Sequence, residues 1–159
     1  MKKTATGFLL TCALAGNSSL EQVNLNMDVL ISASCSIANL TDASWSGIDG
    51  NFAAATTSSS GKVTVSCNLL TSYSVGLGNG QNFSSGSRRM KKGSEFIAYN
   101  VYKDLTMLLP WGNIGSGNEA TGVGTGLNQA LTVYAKIPAG QTPVSSGTYT
   151  DVVVVTLNF

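Results

Sequence analysis

Residues Thr148–Phe159 read TYTDVVVVTLNF, with neither Gly nor Pro in the run. Four consecutive valines beside Thr, Leu and Phe are the β-branched and aromatic types that fit a pleated, half-buried surface. No breaker interrupts them, so the pattern predicts a strand over Thr148–Phe159. Side chains alternate along a strand, which sets Val153, Val155, Leu157 and Phe159 on one face and Val152 and Val154 on the other. Both faces are therefore apolar. A strand of this kind needs partners along both edges, or it becomes a template for another chain. The function turns on what pairs with it.

Further strands can be read upstream. Val23, Leu25, Met27, Val29 and Ile31 recur with period two, as in a strand buried on one face. Lys62–Leu69, Tyr73–Leu77, Glu95–Tyr102 and Ala130–Ile137 alternate in the same way. Gly78-Asn79-Gly80, Pro138–Pro143 and Ser145-Ser146-Gly147 supply turns. Ala53–Gly61 (AAATTSSSG) reads as a small-residue linker, and the glycine-rich stretch 112–126 as loop. Leu108–Trp111 reads as a short edge piece around Pro110. Trp45, Ile48 and Phe52 are candidate core anchors. No stretch keeps helical periodicity. Seven or eight short strands separated by turns predict an all-β antiparallel sandwich.

The chain has 159 residues, enough for one sizeable core, and only 11% of them are charged. Ser, Thr, Asn and Gly fill the polar positions instead, as on exported β-proteins. Met1-Lys2-Lys3, the apolar run Thr4–Leu14 and the Ala13-Leu14-Ala15 pattern predict a signal peptide over 1–15, with Gly16 as the new N-terminus. An alternative, acylation at Cys12, would require a smaller residue than Thr11 before it. Cleavage leaves seven Lys+Arg against eight Asp+Glu, a net charge of −1. Bulk charge therefore offers nothing for nucleic acid or an anionic membrane. Cys35 and Cys67 would remain, and an oxidising compartment predicts a disulfide between them. Its loop of about 33 residues would be worth roughly 3–4 kcal/mol on the chain-entropy estimate.

The residues that carry most enzymatic chemistry are sparse. Histidine is absent, which removes the commonest general base and metal ligand. Asp42 and Asp49 read as turn residues. No serine sits in a nucleophile elbow, and the glycines of 112–126 are not followed by the Lys-Ser/Thr of a phosphate loop. The reading is of a non-enzyme without metal, cofactor or small-molecule substrate. The cluster Arg88–Lys92 reads as a solvated strand with Met90 turned inward. Trp45 and Trp111 read as packing residues more than sugar-stacking ones.

Five stretches carry a family resemblance: SRRM (Ser87–Met90), IAYNVYKD (Ile97–Asp104), PWGN (Pro110–Asn113), LTVYAKIPAGQTP (Leu131–Pro143) and GTYTDVVVVTLNF (Gly147–Phe159). With Cys35 and the VTVSCN around Cys67, they resemble the spore coat protein U family, which includes pilin subunits of archaic chaperone–usher pili. LTMLL (Leu105–Leu109) and Ile114–Ala120 depart from its usual small, polar pattern.

The resemblance implies an immunoglobulin-like sandwich lacking its last strand. A periplasmic chaperone lends a strand to the resulting groove. At an outer-membrane usher, the N-terminal segment of the next subunit replaces it, giving a surface fimbria that supports adhesion and biofilm formation. On this chain the expected parts are a donor segment at 16–30, with Val23, Leu25, Met27 and Val29 as plugs, and a domain at 31–159. Ile31–Ile37 would be its first strand, and Val153, Val155, Leu157 and Phe159 its acceptor strand. Alternatives are a single-domain adhesive tip subunit, a self-associating secreted coat protein, or a self-complemented monomer.

Overall fold

The computed structural model describes residues 25–159. The expected signal peptide, Cys12 and Val23 lie outside the described residues. Eight strands make up the regular structure: β1 (Cys35–Thr41), β2 (Thr56–Cys67), β3 (Ser72–Leu77), β4 (Arg88–Lys92), β5 (Glu95–Tyr102), β6 (Ala120–Val123), β7 (Asn128–Ile137) and β8 (Val155–Asn158). All pairings are antiparallel. One sheet has the order β1-β2-β7-β5-β4 and the other β6-β3-β8. The predicted all-β sandwich is the observed fold.

The chain divides into Met1–Ile31 and Ser32–Phe159. In the first, residues 25–31 form no strand, and Leu25, Met27, Val29, Leu30 and Ile31 are exposed. The alternation read there therefore gives no strand in the single chain, because no sheet edge among the described residues takes up its backbone groups. The first strand also differs from the expected Ile31–Ile37. It begins at Cys35, paired with Cys67 both in the ladder and through the disulfide. Before it, the carbonyls of Ser32 and Ser34 accept bonds from Asn68.

The core lies between the sheets. Val63, Val65, Ile97, Tyr99, Val101, Val133 and Ala135 face it from the large sheet, and Tyr73, Val75 and Leu77 from the small one. Trp111 plugs the layer at 1% exposure, its Nε1 donating to Val75 O at 2.8 Å. Gly76 is obligatory on β3, since a Cβ there would sit 2.4 Å from the backbone nitrogen of Ile114.

Three expectations change. Thr56–Gly61, read as linker, is the first half of β2, because Thr and Ser serve as well in a strand as in a loop when a neighbour supplies the ladder. A β-bulge follows, where the β2–β7 register shifts between Ser58 and Gly61. Ala120–Val123, hidden in the glycine-rich stretch, is an edge strand on β3. The final strand is Val155–Asn158, shorter than the apolar run. Residues before it bond elsewhere, Thr150 to Lys91 of β4 and Val154 O to Gly78 N.

Trp111→Ala is expected to destabilise the domain by about 3–5 kcal/mol in urea unfolding. Trp111→Phe, which keeps most of the volume but loses the indole donor, is expected to cost about 1 kcal/mol.

Candidate functional site

Strand β8 pairs along one edge with β3, from Ser74↔Asn158 to Leu77↔Val155. Its other edge has no ladder partner among the described residues. Strand β1 is likewise an edge, of the opposite sheet, and touches β8 without pairing to it. Two unpaired edges thus meet at one side of the sandwich.

The core is open there. Ile37 and Leu40 of β1 stand opposite Val65 and Val63 of β2. Directly opposed residues share a face, so all four point inward. Yet Val65 and Val63 are 0% and 2% exposed, while Ile37 and Leu40 are 36% and 51% exposed. The difference is that nothing among the described residues packs over β1. A cleft of about 950 Å³ enters the interior, bordered by Leu40, Trp45 and Ile48 on one side and by Val153 and Val155 on the other. Val63, Val133 and Ala135 also line it. The indole N–H of Trp45 is buried without an acceptor among the described residues. An orphan donor beside an open cleft costs stability until something accepts its bond.

Among the expected acceptor residues, Val153, Val155 and Leu157 pack partly buried on the core. Phe159 lies beyond β8 and is 58% exposed. Val152 and Val154 face away at 56% and 66% exposure. Sequence reasoning missed Ile37 and Leu40, because the β1–β2 register shifts between Ile37 and Asn39 and breaks the period of two. Of the expected plugs, Leu25, Met27 and Val29 are exposed and Val23 is outside the described residues.

Two polar clasps hold the segment that leads into β8. Asp151 accepts from Tyr99 OH at 2.7 Å, Gln81 N at 2.9 Å and Asn82 Nδ2 at 3.2 Å. Gly80, at φ +81°, lets that loop approach, since a Cβ there would lie 2.0 Å from Asp151 Oδ2. Burial, and then the bond to Asp151, pushes the Tyr99 phenol far above its usual range. Arg88 is not the solvated side chain expected. It donates to Gly78 O and Leu77 O at 2.7 Å and to Trp111 O at 3.1 Å, and burial lowers its pKa. Met90 is turned inward as expected.

The second clasp is centred on Glu95. It accepts from Ser145 Oγ, from Ser145 N at 2.8 Å and from Tyr149 OH at 2.8 Å, with Lys92 alongside at 4.0 Å. The Ser145 bonds first, then Tyr149 and Lys92, lower its pKa to about 2. Asp49 is a turn residue, its Oδ1 accepting from Asn51 N. No group of three or more His, Cys, Asp or Glu among the described residues could hold a metal.

Residues 21–156 match the Spore Coat Protein U domain. The chain belongs to that family. It is 38% identical over 107 residues to Protein U of Myxococcus xanthus, an alignment covering 62% of this chain and 59% of that relative's length. Its fold is similar to a chain in the CsuC-CsuE chaperone-tip adhesion subunit pre-assembly complex from archaic chaperone-usher Csu pili of Acinetobacter baumannii. That likeness has a TM-score of 0.57 at 22% identity and covers 81% of this chain and 40% of the other. It establishes the fold.

The depressed Glu95 pKa has a consequence for stability. A carboxylate with a folded pKa below its unfolded value contributes stability that is fully present above the unfolded value, near 4.5, and lost as pH falls towards about 2. Glu95→Gln is therefore expected to lower the melting temperature at neutral pH. The gap between the two proteins should close between about pH 4.5 and 2. A gap constant across that window would show that the Glu95 charge does not hold the clasp.

Proposed function

We propose that this chain is a structural subunit of a chaperone–usher surface fibre, built by donor-strand exchange. The observation that carries this reading is the open core between β1 and β8. An immunoglobulin-like sandwich with two unpaired edges, half-exposed inward side chains and an orphan Trp45 N–H has the shape left by one missing strand. An incoming strand would add a ladder to β8, cover Ile37 and Leu40, and place backbone carbonyls near Trp45. Main-chain bonds would give affinity, and alternate side chains would fill the cleft.

The donor in the finished fibre is the N-terminal segment of another copy or a related subunit. Leu20–Val29, with Val23, Leu25, Met27 and Val29 as plugs, carries the required alternation. The described part of it, residues 25–29, has no strand pairing of its own. Head-to-tail donation need not close and so yields a filament. A periplasmic chaperone would fill the cleft first, and an outer-membrane usher would host the exchange. The destination is the cell surface, where the fibre would support adhesion and biofilm formation. A structural role is favoured over an adhesive tip role because Trp111 is buried in the core, not displayed for ligand stacking.

Deletion of residues 16–29 is expected to leave a subunit that is captured by its chaperone but forms no fibre, scored by co-purification and electron microscopy. Normal fibres from that deletion would refute the donor assignment.

A paired substitution tests the acceptor edge. Val155→Asp puts a charge on the cleft wall and is expected to abolish chaperone-dependent accumulation in the periplasm. Val154→Asp, on the outward face, is expected to accumulate normally. Equal behaviour of the two would argue against Val155 as acceptor.

A further inference from the structure

The outer face of the five-stranded sheet carries side chains that point away from the core, only Lys62 of its cations borders the cleft, and its charges are not mixed. Register places Lys62 of β2, Lys136 of β7, and Arg89 and Lys91 of β4 on it. Lys62 faces Thr132, Lys136 faces Asn100 and Thr57, Arg89 faces Ala98, and Lys91 faces Phe96. Their strand neighbours Val63, Val133, Ala135, Ile97 and Met90 point the other way, into the core. None of the strands that build this sheet places an acidic residue on that face. Glu95 lies opposite Lys92 in the inward set, and Asp104 follows the end of β5, where it accepts from Thr106 Oγ1 and from the N–H groups of Leu108 and Leu109.

The ion pair found among the described residues joins Lys92 to Glu95, so none of the four face cations has a carboxylate partner there. Arg89 is nevertheless held in place. Its Nε donates to Asn82 O at 2.9 Å, and its guanidinium lies 4.2 Å from the centre of the Phe96 ring. Tyr102 and Tyr134, partners across the β5–β7 ladder, add two half-exposed rings to the same face.

We infer that this face binds an acidic polysaccharide, a linear glycan carrying carboxylates along its length. Ladder spacings put successive cations about 7–14 Å apart in a diagonal row from β2 across β7 to β4. That separation suits charges carried on every sugar or every second sugar. Duplex nucleic acid presents one charge per about 1.7 Å and takes its affinity from many close phosphate contacts, which four spread cations do not supply. A bilayer is matched no better, because none of the strands of this sheet carries an exposed large apolar side chain on this face. Flat rings between the cations can pack against the C–H faces of sugars while Lys and Arg meet the carboxylates. Thr, Ser and Asn at Thr57, Thr64, Ser66, Thr132 and Asn100 give hydroxyl and amide partners for sugar hydroxyls. The inference does not depend on donor-strand exchange, since Lys136, Arg89 and Lys91 do not line the cleft and Lys62 only borders it.

The test uses the full chain and two charge-matched double variants. Lys62→Ser with Lys136→Ser removes two face cations, and Lys92→Ser with Lys103→Ser removes two cations elsewhere. Binding to sodium polygalacturonate, to uncharged dextran, to vesicles containing anionic lipid and to duplex DNA is measured by biolayer interferometry at low and physiological salt. Thermal melts establish that each variant is folded. The expected result is salt-sensitive binding to polygalacturonate and none to dextran. The face variant should bind at least tenfold more weakly and the off-face variant within about twofold of the parent. Arg89→Ser, which leaves the Lys62–Lys136 pair intact, should also weaken binding. Equal loss in both double variants would reduce the effect to net charge and overturn the proposal. So would tighter binding to DNA or vesicles than to polygalacturonate, or no binding to polygalacturonate by the folded parent.

Discussion

An edge of β8 and an edge of β1, both unpaired among the described residues, are the constraint on which the rest of this structure depends. Backbone N–H and C=O groups are obligatory hydrogen-bonding groups, and an apolar interior tolerates water poorly. A sandwich that leaves both unsatisfied along one side, among the described residues, carries a local cost in stability there. The half-exposed Ile37 and Leu40, opposite fully buried Val65 and Val63, show how local the deficit is. One more strand would remedy it, and the remaining core is already packed around Trp111 and Val75.

An edge can serve as an acceptor only if it is held still. The segment before β8 is fixed at three places that do not use the free edge. Thr150 pairs with Lys91 of β4, Asp151 takes the Tyr99 hydroxyl and the Gln81 and Asn82 donors, and Val154 O takes Gly78 N. Glu95 clasps the preceding loop at Ser145 and Tyr149. These polar contacts determine where β8 begins and how it lies on β3. They hold the edge in place, so that under the proposed exchange an incoming strand would have less ordering to do. The same clasps explain why an apolar run of twelve residues gives a strand of four.

Charge on this molecule is distributed by topology. Taken whole, the chain is nearly neutral, with a formal net charge of +1, and that near-neutrality conceals the separation. Lys62, Arg89, Lys91 and Lys136 are scattered along the sequence, and antiparallel pairing gathers them on one face. The acids are sent to loops, to the inward clasp at Glu95, or to the latch at Asp151. The open side and the basic face lie on different surfaces, so one can be filled while the other stays in solvent.

What the sequence determined by itself was the architecture. Alternation over Tyr73–Leu77, Glu95–Tyr102 and Ala130–Ile137 is a local signal, and it placed β3, β5 and β7 almost to the residue. The Cys35–Cys67 bridge, expected from the sequence, is present in the structure. Thr56–Gly61 and Ala120–Val123 escaped because their small and polar residues become strands when a neighbour supplies the ladder. Ile37 and Leu40 escaped because a register shift broke the period of two. The cleft, the Tyr99–Asp151 latch, the buried Arg88 and the basic face all join residues far apart in the chain. Only the tertiary structure decided them, because pairing register sets which side chains share a face, and register is a property of two strands together.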